Sequence, residues 1–210
     1  MSGILDLLNS DIGKTIINGV SGTTGTDENK TSSVLTMAMP VLMKAMERNA
    51  STPEGAQGLL SALNSGKHDG SILDNLGDLF NGGVDENVKT DGEKILGHIL
   101  GSKKEGVENV IGAKAGLDSS SVSNILKVAA PILMGLLGKQ ARQNNVSSQN
   151  DLGGLIGGLL GGNETQTEQS FLESILDADG DGSVIDDVAG MVLKNKKGIG
   201  SVLGGLFGGK

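Results

Sequence analysis

Two stretches of this chain are apolar on almost every side, and each carries a proline in the same place. The first spans residues 34–46 around Pro40, and the second spans 125–137 around Pro131; each has a methionine three residues after the proline, Met43 and Met134. A helix that is apolar all round is buried on most sides, so these two segments belong at the centre of the fold. Proline inside a helix removes a backbone donor and crowds the carbonyl four residues earlier, here that of Thr36 in the first copy. The apolar pattern continues in register past both prolines, which predicts a kink rather than a stop.

The prolines also act as a ruler. A shift of 91 residues places Ile4-Leu5 on Ile95-Leu96, Ile16 on Val107, Val20 on Ile111, Gly25 on Gly116 and Pro40 on Pro131, without a gap. A match of that length reads as an internal duplication. The expected fold class is all-α, with no sheet: two tandem helical repeats, each around a buried Pro-kinked helix. The first repeat takes residues 1–90 and the second 91–197, followed by a Gly-rich tail over 198–210. The repeats form one unit or two tethered bundles.

Local signals fill in the rest. Ser2 is placed to cap a short helix bearing Ile4, Leu5 and Leu8, and Ile12, Ile16, Ile17 and Val20 follow at helical spacing. The Gly/Thr-rich stretch 21–29 reads as a loop, and the first Pro-containing helix is expected to begin near Ser32 or Ser33. Thr52-Pro53-Glu54 is a helix start, with a capping hydroxyl, proline in the first turn and an early acid. That helix ends at Asn64-Ser65-Gly66. Another opens near Asp69, buries Ile72, Leu73, Leu76, Leu79 and Phe80, and closes at Gly82-Gly83. The polar segment 85–91 is the expected boundary between the repeats.

Beyond Arg142 the shift becomes 112, which aligns Asp69-Gly70-Ser71 with Asp181-Gly182-Ser183. The second repeat has therefore gained residues, assigned to an inserted Leu/Gly helix over 150–169. Its leucines and Ile156 share one face while glycines fill the other. Glycine costs about 1 kcal/mol per helical position relative to alanine, so this helix needs either close packing or a partner. Packed inside the fold it is structural; exposed, it would drive self-association or contact a lipid surface.

Composition narrows the function. Glycine makes up 35 of 210 residues, and Phe80, Phe171 and Phe207 are the whole aromatic complement. With a net charge of −8, the chain lacks the basic surface that nucleic-acid binding needs, and it has few rings for base stacking. There is no cysteine, hence no disulfide. The opening Met1-Ser2-Gly3-Ile4-Leu5-Asp6 has no basic region of the kind a secretory signal carries, and no uncharged apolar run approaches about 18 residues. A cytoplasmic protein is expected.

One acidic loop carries chemistry. Asp177, Asp179 and Asp181 alternate along 177–187, with Gly182 for a sharp turn and Ser183 offering its carbonyl. This is the spacing by which an EF-hand loop turns oxygens at positions 1, 3, 5 and 7 onto a hard cation. Position 12 is Val188 instead of the usual bidentate acid, and Asp187 stands in from the position before. Calcium is the expected ion, bound by Asp177, Asp179, Asp181, Ser183 and Asp187. The first repeat has Ser65 and Lys67 where the first two ligands would stand, so it holds no ion in this way. The pairs Ser71/Asp74 and Ser183/Asp186 read as helix-start pairs resembling a capping box.

The remaining candidates are structural. His68 and His98 read as surface or helix-face histidines, Met37, Met39, Met43 and Met46 as core, and Lys194, Lys196 and Lys197 as cations at a helix C-terminus. No catalytic constellation is present, so no enzyme is expected. Ala-Pro-Ile-Leu-Met at 130–134, the Leu/Gly helices and Asp-Gly-Asp-Gly-Ser-Val-Ile-Asp-Asp at 179–187 together resemble the YidB-like bacterial family. That resemblance implies helical structure and supplies no site residues. The loop itself resembles EF-hand and dockerin-type loops. The functional expectation is a non-enzymatic interaction or self-assembly module with a calcium-binding helix–loop–helix. It would act through a homo-oligomer or protein partner; a membrane-surface or envelope-associated protein is the alternative.

Overall fold

The computed structural model describes residues 3–161, which form helices and no strand. In order these are α1 (Ile4–Asn9), α2 (Asp11–Thr24), α3 (Glu28–Ala50), α4 (Pro53–Asn64), α5 (Ser71–Asp74), α6 (Leu76–Phe80), α7 (Glu86–Leu100), α8 (Lys104–Ala115), α9 (Ser119–Gln143) and α10 (Gln149–Leu160). A single 3-10 turn, Gly101–Lys103, joins α7 to α8.

α3 and α9 are the two Pro-containing helices, and both run unbroken through their prolines. Each is almost wholly buried along its apolar stretch: Val34, Leu35, Ala38 and Leu42 of α3, and Ile125, Leu126, Ala129 and Leu137 of α9, are all inaccessible to solvent. The other helices lie around this pair. α9 packs against α2, α3, α4, α5, α7, α8 and α10, and α3 against α1, α2, α4, α7, α8 and α10. Residues from both halves of the chain enter one continuous apolar cluster. Met39, Met43 and Met46 are buried in it, and Met37 packs on its edge.

Helix ends coincide at the 91-residue offset. Gly25 and Gly116 end α2 and α8 with φ of 68° and 66°, the left-handed conformation in which glycine avoids the Cβ penalty. Asp27 and Asp118 then cap α3 and α9 with side-chain oxygens that accept backbone N–H groups. Further on, Thr52 caps α4 and Ser148 caps α10, and both helices are 12 residues long.

Several boundaries differ from the sequence reading. The stretch 21–29 is helix except at 25–27: the Thr24 hydroxyl donates to the Val20 carbonyl within α2 and the Ser21 hydroxyl to the Thr26 carbonyl just past its end, so both side chains are satisfied while their own residues stay helical. α3 consequently begins at Glu28, a turn earlier than Ser32. The polar segment 85–91 is the capped start of α7, with Asp85 accepting from the Asn87 N–H at 2.7 Å. The helix expected after Asp69 is broken at Asn75, where φ is −119°, into α5 and α6; of its five apolar residues only Leu76 is fully buried. Gly82 and Gly83, both at positive φ, close it as expected. Ile12 is not part of the core but 49 % exposed.

α10 is the Leu/Gly helix, and its apolar face is spent inside the fold. Leu152, Leu155, Ile156 and Leu159 are buried against α3, α4 and α9. Two of its glycines do not serve close packing: side chains at Gly153 and Gly154 would meet nothing within 4 Å. Close approach falls elsewhere. A Cβ at Gly92 of α7 would lie 1.8 Å from the Lys127 carbonyl oxygen of α9, so the bare backbone is what lets these helices cross.

Candidate functional site

The five predicted ion ligands, Asp177, Asp179, Asp181, Ser183 and Asp187, lie outside the described residues, as do Ser2 and Lys194, Lys196 and Lys197. Among the described residues, no group of three or more His, Asp or Glu side chains is placed to hold a metal ion.

The loop around Asp69, which aligns in sequence with the acidic loop, differs from its sequence reading. α5 is not opened by a Ser71/Asp74 pair. Asp69 instead accepts the Ser71 N–H at 2.9 Å, and the glycine between them, Gly70, has φ of 94°. The Ser71 hydroxyl and N–H hold the Asp69 carboxyl below its usual range, with Arg142 adding to the effect. Asp74 reaches across to Lys139 at 2.7 Å, and Arg142 donates to the Asp69 carbonyl at 3.0 Å. The acids of this loop are thus spent on tying it to α9.

That tie builds a cleft. The turn after α4 is drawn onto α9 where Gly138 leaves room for the His68 carbonyl; a Cβ there would sit 1.8 Å from its oxygen. The His68 ring consequently turns inward beside α7 and lines a cavity of about 530 Å³ between α4 and α7. Met46, Leu59, Ala62, Ile95 and Met134 supply apolar lining, and Glu54, Asp91, Lys94 and His98 supply ionisable groups. Apolar walls with a few convergent polar groups are the usual make-up of a binding site.

His68 is the polar feature at its inner wall. It is only 6 % exposed, and its Nε2 stands 3.6 Å from Asp91 Oδ2, beyond hydrogen-bond range. Its Nδ1 is buried without a partner. Burial pushes the imidazole pKa down; Asp91 opposes that shift and Lys67 reinforces it. The ring is therefore neutral at pH 7, able to donate from one nitrogen and accept at the other.

His98 is the surface, helix-face histidine the sequence suggests, and His68 is not. His68 is buried, and His98, though exposed, lines the same cleft. Sequence spacing holds no sign of this, because His68 sits on a turn and Asp91, Lys94 and His98 on a helix that begins 18 residues later.

A second ionisable cluster joins α7, α8 and α9. Glu93 pairs with Lys104 and, at 3.2 Å, with Lys127; Glu108 lies 3.8 Å from Lys104. The Lys104 hydrogen bond, aided by Lys127, holds the Glu93 carboxyl low, whereas burial pushes that of Glu108 up against the opposing pull of Ser123. The two lysines answer Glu93 and brace three helices, while Glu108 Oε1 is buried without a hydrogen-bond partner.

These features define an all-α bundle around two Pro-containing central helices, with an ionisable, apolar-floored cleft on its flank. The chain belongs to a bacterial protein family of unknown function, DUF937, which it matches over residues 6–140. That span takes in α3, all but the last three residues of α9 and the whole of the cleft lining, and stops short of α10. No curated protein and no solved structure matches the chain.

Proposed function

We propose that the chain is a non-enzymatic helical module for protein interaction or self-assembly, with the α4–α7 cleft as its docking site. The carrying observation is the contrast between the ionisable groups. Glu93 with its two lysines and the groups of the Asp69 loop answer one another, while Glu54, Asp91, Lys94 and His98 stand around an open cavity with an apolar floor. A partner's apolar side chain seated on Met46 and Ile95 would leave these groups free to pair at its edge.

Calcium binding by Asp177, Asp179, Asp181, Ser183 and Asp187 belongs to the same proposal. The ion would fix the angle between the flanking segments and so the presentation of the C-terminal region. Internal duplication is part of it too. The shared Gly and Asp caps at a 91-residue offset support it, and α10 then stands as the counterpart of α4 rather than as an insertion. The YidB-like kinship and a cytoplasmic setting complete the reading. Burial of the apolar face of α10 speaks against its use on a membrane surface.

The test is light scattering coupled to chromatography over a range of concentration, with and without calcium. The comparison is with Gly58→Trp, which fills the cleft from a position where an added side chain meets nothing within 4 Å. Concentration-dependent assembly that Gly58→Trp abolishes supports the cleft. A protein monomeric under every condition defeats self-assembly. Equal, negligible calcium heats for the wild type and for Asp179→Ala with Asp181→Ala defeat the ion site.

A further inference from the structure

The α4–α7 cleft has a sister. A second cavity, of about 430 Å³, lies between α1, α9 and the end of α10, lined by Gly3, Ile4, Leu7, Ile12, Gln140 and Leu159 among others. At the 91-residue offset, Gly3, Ile4, Leu7 and Gln140 correspond to Lys94, Ile95, His98 and Asn49, all of which line the first cleft.

The second cavity also carries Asp6 and Ser10, but the two differ most at the positions of Lys94 and His98. Where the first cleft shows Lys94 and His98 at its mouth, the second shows Gly3 and Leu7. Ile12, the exposed large apolar side chain among the described residues, corresponds to Lys103. The fold therefore does not require an apolar residue at that position, since its counterpart carries a charge. Ile12, 49 % exposed, lines the groove together with Ile4, Leu7 and Leu159, and so extends one contiguous apolar surface of the kind that marks a contact site.

We propose that the groove is covered by the chain's own segment 171–176, Phe171-Leu172-Glu173-Ser174-Ile175-Leu176. The argument is positional. Leu159 lines the groove, and the Cα of Gly161 lies 4.0 Å from where a Gly3 side chain would begin, so the described chain ends at the groove's edge with 49 residues still to follow. The first of these, 162–170, are Gly, Asn, Glu, Thr, Gln and Ser without one apolar residue. Phe171, Leu172, Ile175 and Leu176 come next, at the i, i+1, i+4, i+5 spacing of one helical face. A nine-residue polar spacer spans roughly 15–18 Å in the root-mean-square, which suits a return to the groove. Tethered so closely, the segment reaches an effective concentration in the millimolar range, which a free partner would have to exceed.

The native chain has no cysteine, so introduced thiols report without interference. In the full chain, Gln140→Cys with Glu173→Cys pairs the groove with the segment, and Glu54→Cys with Glu173→Cys pairs the sister cleft with it. A short bis-maleimide should link the first pair within one molecule about tenfold faster than the second, at a rate unchanged by dilution. Adding Ile12→Lys, which copies the counterpart position, should lower the first rate to that of the control pair. Circular dichroism confirms that this variant remains folded. The proposal is overturned if Ile12→Lys leaves the rate unchanged, which would reduce the effect to tethering. It is also overturned if cross-linked dimers dominate and fade on dilution, in which case a second copy covers the groove.

Discussion

The carbonyl of His68 rests on the bare α-carbon of Gly138, with 1.8 Å between its oxygen and the place a Cβ would take. This contact seats the turn after α4 on α9 and so fixes the inner wall of the cleft. Gly138→Ala must push two backbones apart and should cost about 2–3 kcal/mol, the usual penalty of overpacking. Gly153→Ala on the open face of α10 should be neutral or stabilise by up to about 1 kcal/mol. Urea unfolding of the two variants beside the wild type checks both signs.

His68 makes stability depend on pH in a defined direction. Burial lowers its pKa in the folded state below the ordinary 6.5, so the fold favours the neutral ring. Its contribution is complete above pH 6.5 and is lost as pH falls below that value, because the unfolded chain takes up the proton first. His68→Gln should flatten the urea midpoint between pH 7 and pH 5.5. A midpoint that still falls as steeply in the variant would assign the dependence to another group.

Glu108 has the opposite sign. Burial raises its carboxyl pKa above the ordinary 4.5, so the folded state binds the proton more tightly than the unfolded state. The stability this provides is full below pH 4.5 and is lost as pH rises through the raised value. At pH 7 the buried charge is a cost. Glu108→Gln, which can still meet Ser123, should raise stability at pH 7 by about 1 kcal/mol, the scale of one hydrogen-bonding imbalance. The gain should shrink towards pH 4.5, as followed by thermal unfolding at the two pH values.

Asp118 holds the start of α9 through the Ser121 N–H and the hydroxyls of Ser120 and Ser121. Those bonds, Ser120 first, depress its carboxyl far below the usual range. Their contribution is present above the ordinary carboxylate pKa and is lost as pH falls through and below it. Asp118→Ala should lower the denaturant midpoint at pH 7. Asp118→Asn, which keeps an acceptor, should recover part of the loss and weaken the acid dependence.

Periodicity located the two central helices because burial on all sides leaves a mark at every position, and Thr52-Pro53-Glu54 located α4 because capping chemistry is local. The ends of α2 and α3 differ from the sequence reading since Thr24 returns its hydroxyl to the Val20 carbonyl and Ser21 reaches the Thr26 carbonyl just past the helix, where composition alone suggests a loop. The break at Asn75 was missed because tertiary ties, Asp74 to Lys139 and Arg142 to the Asp69 carbonyl, decide it. The cleft was illegible for the same reason. Its histidine and its aspartate meet only after Gly138 has let the turn down onto α9, a contact between residues 70 positions apart.

α4 lies across both α3 and α9, and so does α10. Each central helix is therefore roofed in part by an element from the opposite half of the chain. A molecule carrying one half alone would expose the apolar flank of its long helix, and its natural remedy is a second molecule related by a two-fold axis. Under the duplication proposed above, the single chain would be such a pair made permanent: a dimer whose partners were joined end to end, leaving two corresponding clefts free to become different.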